Sequence, residues 1–331
     1  MKKFISLITM MLVCNLIFAQ TGMKEFRIIK TIKVPGDDKW DFSAVDEKYQ
    51  HLFLSHETRV QILDLKTDSL IGEIPNTTGV HGIAFAYDLD RGFTSNGDAN
   101  SVTMFNLRTF EIIKTIPITG KDPDAILYDS FTRQVFTFNA DSRNSTVINA
   151  KTGEVVKTID LDGSPEFAVT DNSGKIFLNL EKESQLLVIN TKTFAIESRW
   201  PLAPCEGPTG LALDATNHRL FTGCRGNKGL TVLDATSGKI ITTLQIGVVV
   251  DAVCYDVQRK LIFVSNGDGT LNIFHQDSPD AYSSIQTLTT KPRSKTMALN
   301  QSTRLAYLSS ADFTQDKKVV PGTFAVLVVG N

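Results

Sequence analysis

Polar residues, all but one of them ionisable and of the kind that act in catalysis or metal binding, recur at intervals of 40 to 44 positions in this sequence. The series consists of Asp41, His81, Asp124, Glu166, Thr209, Asp251 and Lys295. A histidine flanked by carboxylates suits general base catalysis, and imidazole with carboxylates also holds Zn²⁺ or a similar ion. We therefore predict that His81, Asp41 and Asp124 form a catalytic or metal-binding group, provided that the fold brings them together.

A second series, polar except for Leu180, lies 15 positions after each member of the first, or 14 after Glu166. Ca²⁺ prefers carboxylate and amide oxygens, so Asp124, Glu166 and Asp251 are candidate metal ligands with nearby asparagines. Two cations close to both series would suit a small anionic ligand. The side chains expected to bind a polar ligand are His56, Asn96, Asn139, Arg225, Asn266 and Lys295.

An internal repeat must position both series, since a short strand built around an aromatic residue recurs through the chain. The aromatic anchors are Phe53, Phe93, Phe136, Phe177, Phe221, Phe263 and Tyr307. Their spacing of 40 to 44 residues, filled with short strands, is typical of a four-stranded propeller blade. Seven copies predict an all-β fold, a seven-bladed β-propeller with four antiparallel strands per blade.

The seventh repeat lacks a fourth strand, and the missing strand is expected at the other end of the chain. Residues 27–34 match residues 111–118, the outer strand of blade two, at five of eight positions. We therefore predict that the N-terminal strand closes the last blade, which removes a bare sheet edge and ties the two termini together.

In such a fold the first series begins the innermost strand of each blade and the second series ends the next strand. Both would surround the mouth of the central channel, a concave place where ligands usually bind. The alternative is that these residues are ordinary solvated turn residues. The loop from Ala311 to Gly322 emerges on the same face and is either a lid or a surface insertion.

Three of the strand ends resemble the signature of the YVTN-repeat (YncE-like) propellers. They are Phe93-Thr94-Ser95-Asn96, Phe136-Thr137-Phe138-Asn139 and Phe263-Val264-Ser265-Asn266. The resemblance covers nearly the whole chain after the leader and implies an exported seven-bladed propeller, but no single activity. Four repeats depart from the terminal asparagine and carry His56, Leu180, Cys224 and Ser310 instead.

The first 19 residues have the features of a signal peptide, because Lys2 and Lys3 precede an apolar stretch from Phe4 to Phe18. A membrane anchor is the alternative, but it needs roughly 20 apolar residues. We expect residues 1–19 to be a signal peptide and residues 20–331 the propeller. The protein would then be exported, periplasmic or secreted, monomeric, and without a transmembrane segment.

Cys205 and Cys224 fall in the same repeat, at positions that approach each other on the mouth face, and we expect them to form a disulfide. A metal-bound or nucleophilic thiol is the alternative. Cys254 lies within a strand, and we expect it to be a small buried apolar residue.

Charge excludes one class of partner, since 34 basic residues against 36 acidic ones leave a net charge of −2 and no basic run. We expect no binding to nucleic acid. The sequence favours an exported propeller that binds a small polar ligand at the channel mouth, with Ca²⁺ or another divalent cation as a candidate cofactor. The alternatives are a metal-assisted hydrolase or lactonase that uses the same residues, and a scaffold that binds another protein of the cell envelope.

Overall fold

The computed structural model describes residues 24–331 and consists of seven four-stranded antiparallel sheets. The predicted signal peptide lies outside the described residues. In that part of the chain no helix is long and apolar enough to cross a membrane.

Blades one to six are each continuous in sequence and run from the channel to the rim. Blades one to three comprise β2 (Trp40–Asp46), β3 (His51–His56), β4 (Arg59–Asp64), β5 (Ser69–Pro75), β6 (Val80–Ala86), β7 (Arg91–Asn96), β8 (Ser101–Asn106), β9 (Ile112–Pro117), β10 (Pro123–Asp129), β11 (Gln134–Asn139), β12 (Asn144–Asn149) and β13 (Val155–Asp160). Blades four to six comprise β14 (Pro165–Thr170), β15 (Lys175–Leu180), β16 (Gln185–Asn190), β17 (Ile196–Pro201), β18 (Pro208–Asp214), β19 (Arg219–Cys224), β20 (Gly229–Asp234), β21 (Ile240–Gln245), β22 (Val250–Asp256), β23 (Leu261–Asn266), β24 (Thr270–Ser278) and β25 (Ala281–Thr289).

Blade seven is built from both ends of the chain, as predicted. It comprises β26 (Met297–Leu299), β27 (Ala306–Ser310), β28 (Ala325–Gly330) and, as its outer strand, β1 (Arg27–Lys33). β1 pairs antiparallel with β28, and Phe26 packs edge-on against Phe263 of blade six with ring centroids 5.5 Å apart. The prediction of seven blades closed by the N-terminal strand is confirmed.

The innermost strand of each blade contacts those of both neighbours, and β26 returns to β2 to complete the ring. The hydrophobic core lies between adjacent blades, where anchors such as Phe53, Phe93 and Phe136 are completely buried. Each cluster of buried side chains joins residues of two neighbouring blades. A single blade therefore cannot bury its apolar faces alone, and the ring folds as one unit.

The inner strands of blades one to six share a local irregularity at their first residues. In each, one extra residue is inserted relative to the partner strand, for example between Trp40 and Ser43 of β2 and between Val80 and Ile83 of β6. A bulge of this kind bends a strand and redirects a side chain. In all six blades the bulge contains the member of the first series defined above.

Candidate functional site at the mouth of the channel

The first series occupies equivalent places around the channel, at or next to the bulge that opens each inner strand. The inner strand of blade seven, β26, pairs with β27 without a bulge, and the member of the series in this blade, Lys295, lies two residues before β26. The structure brings part of the series together in two groups. One lies on blades one to three around His81, and the other lies on blades four to seven around Arg225.

The first group converges on the imidazole of His81. Its Nδ1 lies 2.7 Å from Asp41 Oδ2 and 3.5 Å from Asp124 Oδ1, and its Nε2 lies 3.8 Å from Asp122 Oδ1. Asp41, His81 and Asp124 each offer an atom within 4.8 Å of the other two. Among the described residues, no other set of three His, Cys, Asp or Glu side chains is so close.

Electrostatics decides the protonation state of this group. Burial disfavours the charge on His81, but its hydrogen bond to Asp41 and the carboxylates of Asp124 and Asp122 outweigh burial and raise its pKa to about 9. Burial, followed by the carboxylate of Asp41, raises the pKa of Asp124 to about 6. At neutral pH His81 is therefore an imidazolium, and it must lose a proton before it can act as a base or ligate a metal.

The second group is a chain of ion pairs that begins at Arg225. Its guanidinium donates to Glu181 Oε1 and to Asp251 Oδ1, each at 2.7 Å. Lys295 Nζ lies 2.8 Å from the other oxygen of Asp251, whose side chain is only 9% exposed. Both oxygens of Asp251 thus have cationic partners, and this carboxylate is not free for a metal.

Glu166 lies between the two groups. Burial, with the added repulsion of the Asp124 and Glu181 carboxylates, raises its pKa far above the usual range. The side chain therefore holds a proton at neutral pH. The predicted metal ligands Asp124, Glu166 and Asp251 do not converge as Asp41, His81 and Asp124 do: among the described residues, their carboxylate oxygens do not all lie within 4.8 Å of one another.

Hydrogen bonds between blades hold the backbone of the mouth in place. Ser95 Oγ of β7 accepts from Gly82 N at 2.8 Å and donates to the carbonyl of Asp124 at 2.7 Å. Asn179 of β15 donates to the carbonyl of Thr209 at 2.7 Å, and Ser265 of β23 donates to that of Lys295. In three blades, therefore, a buried side chain fixes the mouth residue of the next blade.

A hydrophobic contact lies beneath the mouth. Phe42 and Phe167, which directly follow Asp41 and Glu166, pack with ring centroids 4.8 Å apart. Because blades one and four are not neighbours, this contact crosses the central channel. The mouth is a cup with polar walls and an aromatic floor.

The asparagines of the second series lie away from the cup. Asn96 and Asn139 are completely buried, and the Nδ2 groups of both donate to side chains of the next strand of their own blade, at 2.8–3.1 Å. Asn266 is also buried and donates to Asn272 Oδ1 at 2.9 Å. These residues join strands within a blade rather than offering amides to a ligand.

His56 and the cysteines also make contacts that stabilise the fold. His56 is completely buried, with Nδ1 2.8 Å from Gln61 Oε1 and Nε2 3.0 Å from the carbonyl of Asp38. Cys205 and Cys224 are joined by a disulfide. Cys254 is the one free cysteine of the described chain; it is half-buried against the core between blades six and seven, and desolvation raises the pKa of its thiol to about 12.

Two acidic residues of the site were missed by sequence reasoning. Asp122 faces His81 from the loop before β10, and Glu181 accepts from Arg225 in the turn after β15. Asp122 has no acidic counterpart in the other repeats, and Glu181 has one, Glu57 of blade one. The only signal was proximity, since each lies within two residues of a position that the repeat does identify.

Comparisons with known proteins support the fold but do not place the chain in a family. No protein-family model matches the chain, and no curated protein matches it. A solved chain of the hydrazine synthase of Kuenenia stuttgartiensis superposes with a TM-score of 0.72 at 14% sequence identity, covering 83% of this chain and 94% of that one. At this identity the likeness shows the fold alone. The chain is a seven-bladed β-propeller, and its resemblance to YVTN-repeat propellers remains a prediction.

Proposed function

We propose that this protein binds a small polar ligand at the channel mouth together with a divalent cation held by Asp41, His81 and Asp124. The observation that carries the proposal is the convergence of these three donors, which come from three different blades and lie within 4.8 Å of one another. Their strands are bulged at this point, and Ser95 fixes the backbone of Asp124.

The donor set indicates which cations to expect. One imidazole and two carboxylates suit Zn²⁺ or Mn²⁺ better than Ca²⁺, which favours oxygen ligands alone. A cation would displace the proton of His81 and relieve the repulsion that raises the pKa of Asp124. Arg225 and Lys295, across the cup, would then face the negative part of a ligand that bridges both groups.

Isothermal titration calorimetry of the purified protein with ZnCl₂, MnCl₂ and CaCl₂ tests the cation. We expect one site per chain, tighter at pH 8 than at pH 6 because binding releases a proton. Asp124→Asn should weaken binding at least roughly tenfold, since it removes a charged ligand. Glu206→Gln removes an exposed carboxylate from a loop on the same face and should leave binding unchanged. Wild-type protein that binds none of the three ions would end the proposal.

A second candidate function, metal-assisted hydrolysis of a lactone or ester, is favoured by Glu166. A protonated carboxyl group beside a histidine–aspartate pair offers a general acid in the same cup. Turnover of a lactone and ester panel should then disappear in both His81→Ala and Glu166→Gln. Activity that survives both substitutions would exclude this mechanism.

We also infer export and membership of the YVTN-repeat propellers. Export is supported by the leader-like residues 1–19 and by the disulfide between Cys205 and Cys224, a bond that persists in oxidising compartments. Membership is supported by the Thr–x–Asn strand ends, in which Thr94 and Thr137 each donate to the asparagine two residues on. Mass spectrometry of the protein recovered from its native host should find a chain that begins at Gln20, and an intact N-terminus would contradict export.

A further inference from the structure

A cavity of about 930 Å³ lies beside the cup, between blades six, seven and one. It opens on the same face as the channel mouth, and Lys295 lines it as well as belonging to the cup. Asp41, His81 and Asp124 are not among its lining residues. The cavity is therefore a separate compartment that adjoins the proposed cation site, and its volume is in the range of pockets for small organic ligands.

The charge around this cavity is strongly biased. Among its lining residues, cations outnumber carboxylates five to one, although the chain as a whole carries a net charge of −2. Within the described chain, four of the five lie more than 4.0 Å from any carboxylate oxygen. These four are Lys39, Arg293, Lys317 and Lys318. The single acid, Asp37, already accepts a hydrogen bond from the backbone N–H of Gly322. The lining of the pocket therefore has an excess of unpaired positive charge, which favours the binding of an anion.

The walls of the same cavity are aromatic. Trp40 packs against Phe313 and Phe324 with ring centroids 5.9 and 4.9 Å away. The guanidinium of Arg293 lies 4.6 Å above the ring of Phe313. A partly buried tryptophan beside a stacked arginine offers a flat surface for an apolar or aromatic group. The pocket thus combines a planar apolar wall with cations at its edge.

The long loop of blade seven forms one side of the cavity and is ordered by its own contacts. Phe313 and Val319 form a β-bridge, and Thr314 N donates to the carbonyl of Lys318 at 2.9 Å. Arg293 donates to the carbonyl of Lys317 at 3.4 Å. This short hairpin packs Phe313 against Trp40 and carries Lys317 and Lys318 at and beside its turn. The insertion that the sequence left open as lid or surface loop therefore builds a wall of the pocket.

We propose that this pocket binds a small organic oxyanion with a flat apolar portion, the anionic group facing the lysines of the hairpin and the apolar portion facing Trp40 and Phe313. The proposal goes beyond the cation site and does not depend on it. Aromatic carboxylates and sulfonates have the required chemistry, and the cations distinguish them from neutral compounds of the same shape.

Two matched probes test the pocket: 8-anilinonaphthalene-1-sulfonate, and the neutral N-phenyl-1-naphthylamine, which has the same rings without the sulfonate. The chain has two tryptophans, Trp40 and Trp200. In a Trp200→Phe background, quenching of the remaining emission reports binding beside Trp40. The double variant Lys317→Ala/Lys318→Ala removes the hairpin charges. Lys121→Ala/Lys182→Ala removes two exposed charges from other loops of the same face and serves as its control.

We expect the sulfonate to quench Trp40 with one site per chain and to bind roughly tenfold more weakly to the hairpin variant at low ionic strength. Affinity for the neutral probe should be the same in both double variants. Asp124→Asn should retain sulfonate binding even if it has lost the cation, which separates this proposal from the previous one. Equal weakening in the hairpin and control variants, or sulfonate binding without quenching of Trp40, would overturn the proposal.

Discussion

At the scale of single residues, the most consequential contact is the hydrogen bond between His81 and Asp41. It keeps a partly buried imidazole charged at neutral pH, beside a carboxylate, Asp124, whose own pKa is raised. A buried charge is tolerated only where a partner compensates its desolvation. The group is therefore held together by opposite charges at neutral pH, and a second cation would enter only by displacing the proton.

This pairing predicts a loss of stability at alkaline pH. The pKa of His81 rises from 6.5 to about 9 on folding, so the stabilisation is complete below pH 6.5 and is lost as pH rises through 9. With EDTA present, we expect the pairing of His81 to lower the free energy of unfolding by about 3 kcal/mol from pH 6 to pH 9, and Glu166, whose pKa is also raised on folding, to lower it further. Urea titrations at pH 6 and pH 9 would measure it.

Asp41→Asn should reduce that dependence, because the charged partner of His81 is removed, while the share due to Glu166 should remain. A matched control exists in Asp277→Asn, which breaks a His–Asp pair of the same 2.7 Å length at His275, where the aspartate is 46% exposed. The control should keep the wild-type slope. A slope that is unchanged in Asp41→Asn would show that another group causes it.

Residue positions in the site were predictable only as far as the repeat extends. Asp41, His81 and Asp124 were found because each occupies the same place in its blade. Asn96 and Asn139 were assigned to the mouth by the same counting, but they point into the blade, where Ser101, Thr103, Asn144 and Thr146 accept their hydrogen bonds. Counting gives the location of a Cα atom. The direction of a side chain depends on bulge and twist, which the pattern does not contain.

At the scale of elements, the inner strands depend on close contacts between blades. A Cβ atom at Gly210 of β18 would lie 2.5 Å from the carbonyl oxygen of Asp251 and 2.7 Å from the amide of Val253. Both atoms belong to the backbone of β22 and cannot move aside cheaply. Neighbouring inner strands therefore lie very close together, although they do not pair as one sheet. Side-chain hydroxyls and amides connect one blade to the next.

Ser95 provides a test of these connections. Ser95→Ala would leave Gly82 N–H and the carbonyl of Asp124 without the partner that joins β6 to β10, and we expect a loss of about 1–3 kcal/mol in unfolding free energy. Ser145→Ala is the matched control. Its hydroxyl is equally buried in β12 but finds no hydrogen-bond partner among residues 24–331, so its removal should be neutral or stabilising. Similar losses in both variants, measured by chemical denaturation, would argue against a specific role for Ser95.

At the scale of the whole molecule, seven similar blades are closed by a single non-local strand. The aromatic repeat predicted the number of blades, and the likeness between residues 27–34 and 111–118 predicted the closure. The cavity beside the cup could not be predicted. It arises where the long loop of blade seven meets residues of blades six and one, and only the closed ring places these segments together.

Closure by β1 predicts what its removal would do. A chain that begins at residue 35 would leave β28 as an unpaired apolar edge strand, which other molecules could pair with. In the intact protein the residues from Ala325 to Val329 are at most 4% exposed, and Gly330 is buried. We expect this chain to form soluble oligomers or aggregates in size-exclusion chromatography, whereas a chain that begins at residue 24 stays monomeric. A synthetic peptide of residues 24–34 should restore the monomer. The same peptide with Phe26→Ala and Ile32→Ala should not, because it lacks two of the three apolar side chains that β1 and its flanks bury, Phe26 at 1% and Ile32 at 5% exposure. A shortened chain that remains monomeric and unfolds like the parent would show that the ring closes without this strand.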